Sequence, residues 1–109
     1  MLLDYDVLNE LKDVLEDEFS SLIADYISQA SVYLDQLDDA VHESQPGRAL
    51  EIAHSLKGSS LNTGAIELAS LLKKLEDAIR SPSESNSQDI LSEIQQVFVK
   101  TVEALNKQI

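Results

Sequence analysis

Residues 17–43 read DEFSSLIADYISQASVYLDQLDDAVHE and show the strongest periodicity in the chain. Their apolar side chains recur in alternating steps of four and three residues, a spacing that lines up along one face of a helix. The pattern predicts one long helix over 17–43, with its aromatic residues packed in a core. The seam consists of Phe19, Ile23, Tyr26, Ala30, Tyr33, Leu37 and then Ala40 or Val41.

Shorter amphipathic segments flank this helix. Asp4 suits the N-cap of a short first helix, and the acids Glu16-Asp17-Glu18 suit the first turn of the helix that follows. A third helix is expected over 46–62, where Pro46 fits a first turn and Gly64 fits a left-handed C-terminal turn.

Two more helices complete the pattern. The fourth is predicted over 65–80, and a polar loop rich in serine follows over 81–87. The last helix carries an apolar stripe after that loop. These segments predict an all-α fold, an up-and-down antiparallel four-helix bundle with a short additional N-terminal helix. The stripe of the fourth helix is Leu68, Leu71, Leu72, Leu75 and Ile79, and that of the last is Ile90, Leu91, Ile94, Val97, Phe98, Val102 and Leu105.

Length and composition restrict the classes of function. The chain has 109 residues, which suits a single domain over 1–109. With 20 acids and 8 bases its net charge is −12, which disfavours binding to nucleic acid or to anionic membranes. The absence of cysteine excludes disulfides, thiolate metal sites and a cysteine nucleophile. No basic leader and no run of about 18 apolar residues is present, so a soluble, cytoplasmic protein is expected.

The charge is distributed unevenly along the chain. Residues 1–47 contain twelve acids and one base, a net charge of −11, whereas residues 48–80 contain four acids and five bases, a net charge of +1. The third and fourth helices therefore form a nearly neutral region. That region suits a single phosphoryl group or an acidic partner surface.

His54 is the first candidate for chemistry. On a helical projection the apolar positions of the third helix fall opposite His54, so its imidazole should face solvent. Lys57 follows at i+3 and can hold an anion attached to that ring. Gly58 sits in the helix interior at a cost of about 1 kcal/mol relative to alanine and opens space beside the ring. Leu50 and Leu61 leave apolar surface on the same face, as partner interfaces do.

The other histidine, His42, lies at the end of the long helix and is interpreted as structural. Glu51-x-x-His54 formally matches half of a di-metal carboxylate motif. It has no second copy and faces solvent, so a helical di-metal enzyme is disfavoured.

Residues 53–65, AHSLKGSSLNTGA, resemble the phosphorylation motif of histidine-containing phosphotransfer (HPt) domains, H-x-L-K-G-S-[SA]-x-x-x-G. The likeness continues through Leu68, Leu72 and Leu75-Glu76 and covers essentially the whole chain. It departs at Thr63, where an aliphatic residue is usual. The resemblance implies that His54 is phosphorylated, that Lys57 steadies the phosphoryl oxygens and that Gly58 admits the partner.

For the next helix the resemblance implies that Glu76 orients the imidazole. From the residues alone a second interpretation stays open, in which Glu76 is a solvated acid paired with Lys73 or Arg80. Lys73 is assigned with Gly58, Leu50 and Leu61 to the partner-binding surface.

The resemblance also implies a relay in which His54 exchanges a phosphoryl group with the aspartate of a response-regulator receiver domain. The chain has no P-loop and no nucleotide loop, so no autonomous kinase activity and no cofactor of its own are expected. Mg²⁺ should come from the receiver. The expected partners are receiver domains and a sensor or hybrid histidine kinase, and the expected state is a monomer.

Two alternatives remain beside a stand-alone relay protein, which the starting Met1 favours. One is a phosphotransfer domain cut from a larger hybrid or chemotaxis-type histidine kinase. The other is a structural helical adaptor that binds receiver domains without relaying phosphate. Retention of His54, Lys57 and Gly58 together speaks against the adaptor.

Overall fold

The computed structural model describes residues 1–81 and 86–109 of the chain and contains no β-strand within them. Residues 82–85 of the predicted loop 81–87 lie outside the described residues. A short 3-10 helix, Glu16–Glu18, separates the first two α-helices. The α-helices are α1 (Tyr5–Leu15), α2 (Phe19–His42), α3 (Pro46–Thr63), α4 (Ile66–Arg80) and α5 (Ser87–Asn106).

Helices α2 to α5 form a closed ring. Helix α3 packs between α2 and α4, and α5 packs on α4 and returns to α2. The connection Glu43–Gln45 between α2 and α3 and the connection Gly64–Ala65 between α3 and α4 are too short for anything but antiparallel neighbours. The predicted four-helix bundle with an added N-terminal helix is confirmed. The bundle is a rod of 45 × 23 × 19 Å.

The helix boundaries follow from local chemistry. The Asp4 carboxylate accepts hydrogen bonds from the backbone N–H groups of Asp6 and Val7, which makes it the predicted N-cap of α1. Gly64 ends α3 at φ 86°, the left-handed conformation that glycine adopts without steric cost. A Cβ at position 64 would lie 3.0 Å from the Asp4 carbonyl oxygen, so a side chain there would be both strained and crowded.

Several predicted boundaries need small corrections. The long helix spans Phe19–His42 rather than 17–43. Glu16 adopts φ 49°, and this conformation interrupts the helix before Phe19. The acids Glu16-Asp17-Glu18 form the 3-10 helix and do not occupy the first turn of α2. Helix α3 runs one residue further than 46–62, and α4 begins one residue later than 65–80.

One residue predicted for the core seam of α2 differs in the structure. Leu34, not Tyr33, is the buried residue at that turn of α2, and Tyr33 packs at the edge of the core. The seam of α2 drifts by one position because 3.6 residues per turn do not match a strict heptad in a straight helix. The other predicted seam residues from Phe19 to Ala40 are buried.

The N-terminal segment fixes the turn between α3 and α4. The N–H of Asp4 donates to the carbonyl of Gly64 at 2.8 Å, and the N–H of Glu67 donates to the carbonyl of Leu2 at 3.3 Å. Leu3 and Leu8 are fully buried beside this turn. The segment therefore closes the end of the bundle and holds α3 and α4 in register.

One buried polar contact links α2 and α3. The hydroxyl oxygens of Tyr26 and Ser60 lie 2.5 Å apart, and both side chains are buried. Burial raises the pKa of Tyr26 to about 12 against the lowering effect of the Ser60 hydrogen bond. The pair satisfies two hydroxyl groups that would otherwise lose their water.

Among the helices described, none is both long and apolar enough to cross a membrane.

Candidate functional site

Helix α3 presents His54 to solvent, as the sequence predicts. Ala49, Ile52, Leu56 and Thr63 are buried against the neighbouring helices, and this fixes the rotation of α3 about its axis. The His54 side chain on the opposite face is 73% exposed. Packing of the apolar stripe therefore directs the His54 side chain towards solvent.

The surface beside His54 is open at Gly58. A Cβ placed there would have no heavy atom within 4 Å, so neither packing nor backbone geometry requires glycine at this position. Leu61 is 50% exposed on the same face, and Leu50 is half-buried. The structure thus brings Gly58, Leu50 and Leu61 to the face that carries His54.

The most informative residue of the site comes from α4. The Glu76 side chain is only 2% exposed, although glutamate is rarely buried without a partner. Glu76 follows Leu68 and Leu72 at i+8 and i+4, which places it at the edge of the inner stripe. The interpretation of Glu76 as a solvated acid is therefore wrong.

Three nitrogen-bearing side chains surround this carboxylate, and we call the four residues the Glu76 cluster: His54, Lys57, Glu76 and Arg80. Lys57 Nζ lies 2.8 Å from Glu76 Oε1, an ion pair whose angles fall outside hydrogen-bond geometry. His54 Nδ1 and Arg80 Nη1 each lie 3.7 Å from the other oxygen, Oε2. The two oxygens of one carboxylate thus serve different partners.

Lys57 is not a free surface lysine. Its side chain is only 19% exposed, and its ammonium reaches Glu76. The lysine that the sequence assigns to an incoming phosphoryl group is already paired in this state. In the unphosphorylated site, Glu76 is thus the anion that Lys57 contacts.

Lys73 lies outside this cluster. Its ammonium donates to Asp77 Oδ1 at 2.8 Å, and both side chains are more than half exposed. The hydrogen bond from Lys73 lowers the pKa of Asp77, and the charges of Lys73, Arg80 and Lys57 act in the same direction. Pairing of Glu76 with Lys73 is thus contradicted, whereas the proximity of Glu76 to Arg80 is observed.

Arg80 is the member of the cluster that the sequence interpretation did not place in the site. Its i+4 spacing from Glu76 was visible, but such spacings on exposed helices are common and weak. The spacing becomes informative only once Glu76 is known to be buried, because a buried carboxylate needs a nearby cation. The second histidine, His42, lies elsewhere, and its Nδ1 is 2.8 Å from the Asp38 carbonyl oxygen.

The site lies on an exposed helix face. Grooves elsewhere on the described part of the chain are lined by other residues, and His54 lines none of these. Within residues 1–81 and 86–109, no group of three or more potential metal ligands comes together. An exposed imidazole backed by a buried carboxylate and two cations suits the exchange of an anionic group with a docked protein.

Comparison with known proteins agrees with this geometry. The model of the Hpt domain family matches residues 21–108 of the chain. Among solved structures, the chain is similar to the crystal structure of histidine-containing phosphotransfer protein B (HptB) from Pseudomonas aeruginosa PAO1. The TM-score is 0.92 and the sequence identity 27%, over 98% of this chain and 93% of that one. A search of curated proteins found no match.

Proposed function

The chain belongs to the Hpt domain family, and on that premise we propose which of its residues carry the phosphoryl group and how. It is a histidine phosphotransfer intermediate of phosphorelays, and Hpt domains interact there with receiver domains and histidine kinases. Hpt phosphotransfer proteins are phosphocarriers. The residue-level proposal is that His54 accepts the phosphoryl group from the aspartyl phosphate of a receiver domain and returns it to one.

The observation that carries this proposal is the exposure of His54 at 73% above a 2% exposed carboxylate. With its proton on Nδ1, towards Glu76, the neutral ring presents the lone pair of Nε2 at its outer edge. That lone pair attacks phosphorus, the bond between phosphorus and the partner's carboxylate oxygen breaks, and the electron pair leaves with the carboxylate. The proton stays on Nδ1, so the phosphorylated ring is cationic and faces Glu76.

Lys57 and Glu76 have separate tasks in this proposal. Glu76 orients the ring and stabilises the positive charge that the ring gains on phosphorylation. Lys57 supports the phosphoryl oxygens as a point charge from the same helix. Its distance of 2.8 Å from Glu76 Oε1 means that it is held beside the ring before the phosphoryl group arrives.

The partner supplies the remainder of the chemistry. Phosphoryl transfer depends mainly on in-line positioning and charge stabilisation, and Mg²⁺ is the usual counter-charge. We place that Mg²⁺ on the receiver domain. On this proposal the chain has no kinase activity of its own.

The partner-binding surface in this proposal is Gly58, Leu50 and Leu61, with Lys73 at its α4 side. The open space at Gly58 lets a partner backbone approach the imidazole. The exposed part of Leu61 offers apolar area to the partner. A monomeric state and a cytoplasmic location belong to the same proposal.

The direct test is phosphate transfer from a panel of phosphorylated receiver domains and histidine kinases. We expect rapid transfer to the chain from at least one of them, and none from Mg²⁺ and ATP alone. A receiver-binding adaptor would bind a member of the panel without becoming labelled. Labelling by ATP in the absence of a partner would contradict the assignment as a carrier.

A further inference from the structure

Arg80 shares the oxygen of Glu76 that faces His54. Its Nη1 lies 3.7 Å from Oε2, as does His54 Nδ1, whereas Lys57 contacts Oε1. The Arg80 side chain is 55% exposed, and its guanidinium reaches the buried carboxylate from the outside of α4. The carboxylate therefore has two cationic partners, of which one suffices to neutralise it.

The net charge of the site before and after phosphorylation indicates a role for Arg80. With a neutral imidazole, Lys57, Glu76 and Arg80 carry a net charge of +1. Phosphorylation adds a dianionic phosphoryl group and leaves the ring cationic, so the net charge of the site becomes zero. Without Arg80 the same reaction would take the site from zero to −1 beside a buried carboxylate.

Lys57 would have to serve two anions in the phosphorylated state. Its ammonium lies 2.8 Å from Glu76 Oε1, and when it also supports the phosphoryl oxygens its single charge is shared between the two. The 2% exposed carboxylate then keeps only part of its closest counter-charge. A buried carboxylate without a paired charge is strongly disfavoured. In the phosphorylated state the cationic ring and Lys57 together balance the two charges of the phosphoryl group, so Arg80 is the cation left to neutralise Glu76.

We propose that Arg80 is a positioning residue that neutralises Glu76 when Lys57 also supports the phosphoryl group, and so stabilises phosphorylated His54. This inference rests on the proposed function of His54. It deepens that function by assigning a reserve charge to a residue that does not touch the reacting atoms. Arg80 thereby shifts the equilibrium of phosphate between the partner aspartate and His54 towards His54.

The test is the equilibrium constant for transfer from one phosphorylated receiver domain, measured for the wild type, Arg80→Ala, Arg80→Lys and Lys74→Ala. Arg80→Ala should lower the constant about fivefold, the scale of a partly exposed ion pair, and Arg80→Lys should restore most of it. Lys74 is an exposed cation on the same helix outside the Glu76 cluster, so Lys74→Ala controls for the loss of one charge. Circular dichroism of each variant controls for folding.

A double-variant comparison separates action through Glu76 from direct contact with phosphate. In a Glu76→Gln background there is no carboxylate to neutralise, so adding Arg80→Ala should change the constant by less than about twofold. An equal fall in both backgrounds would overturn the inference, as would equal constants for Arg80→Ala and Lys74→Ala. If His54 of the wild type accepted no phosphate from the panel described above, the proposed function itself would fail.

Discussion

The ammonium of Lys57 lies 2.8 Å from the buried carboxylate of Glu76, across the interface between α3 and α4. The lysine expected to contact the phosphoryl group is therefore already paired with a carboxylate of the same chain. The arrangement keeps a long, flexible cation beside His54 before phosphate arrives. Substitutions at these two positions should accordingly affect transfer in different ways.

For Lys57 we expect Lys57→Ala to slow phosphate transfer while the bundle stays folded, because Arg80 and His54 remain beside the Glu76 carboxylate when the ammonium is removed. The measurement is the single-turnover rate at saturating receiver concentration. A loss of helical signal comparable to the loss of rate would contradict a role in transfer.

For Glu76 we expect a graded series. Glu76→Gln keeps the size and an acceptor oxygen, so its transfer rate should fall little. Glu76→Ala removes the orienting partner of His54 and leaves Lys57 unpaired, and should cost about 1–3 kcal/mol of unfolding free energy together with a larger loss of rate. Transfer rates at saturating receiver and urea unfolding measure the two effects. Equal rates for the wild type and both variants would show that Glu76 does not orient the ring.

His54 should be the only phosphorylated residue. His54→Gln should abolish labelling by a phosphorylated receiver, and the label on the wild type should be acid-labile and alkali-stable, as expected for a bond between phosphorus and a ring nitrogen. His42→Gln is the matched control, because His42 is exposed but bonded to the Asp38 carbonyl at the far end of α2. Retained label in His54→Gln would refute the assignment.

Gly58 should serve access rather than folding. Because a Cβ there meets no atom within 4 Å, Gly58→Ala should raise the unfolding free energy by up to ~1 kcal/mol through helix propensity. Gly58→Gln should retain the fold and slow transfer by obstructing the partner. Urea unfolding and transfer rates measure the two effects. Transfer at the wild-type rate by the glutamine variant would refute the access argument.

The pair Tyr26 and Ser60 should contribute to stability and not to transfer. Tyr26→Phe leaves the buried Ser60 hydroxyl without its partner and should cost about 1–2 kcal/mol of unfolding free energy. Adding Ser60→Ala should recover part of that loss, since neither position then carries an unsatisfied hydroxyl group. A double variant as unstable as the sum of the single variants would show that the two hydroxyls do not interact.

Tyr26 should also make the fold sensitive to alkali. Its pKa is raised from 10.0 to about 12 in the folded chain, so the unfolded chain loses the proton first as the pH rises. The stabilising contribution is complete below pH 10 and is lost as the pH approaches 12, an effect of about 2–3 kcal/mol. Unfolding free energies measured against pH should therefore fall more steeply for the wild type than for Tyr26→Phe. Tyr5→Phe, at an exposed tyrosine, should keep the steep dependence.

Much of this protein follows from its sequence because the relevant forces are local. The helical periodicity of α2, the Asp4 cap and the left-handed turn at Gly64 are properties of short segments, and the structure reproduces them. The outward direction of His54 follows from the same periodicity, since burial of one stripe of a helix exposes the opposite stripe. The family resemblance that the motif around His54 indicates is confirmed by the match over residues 21–108.

The tertiary structure alone decided how the charges of the site are paired. Periodicity places Glu76 at the edge of the apolar stripe of α4, but whether that edge is solvated or buried depends on how closely α3 covers it, which no short segment specifies. The packing of α4 against α3 places the Glu76 carboxylate between Lys57 and His54 and brings Arg80 to the same oxygen. The bond between Tyr26 and Ser60 likewise joins residues 34 positions apart in the chain. Such contacts lie between helices, so periodicity along one helix predicts which face is buried but not which partner that face meets.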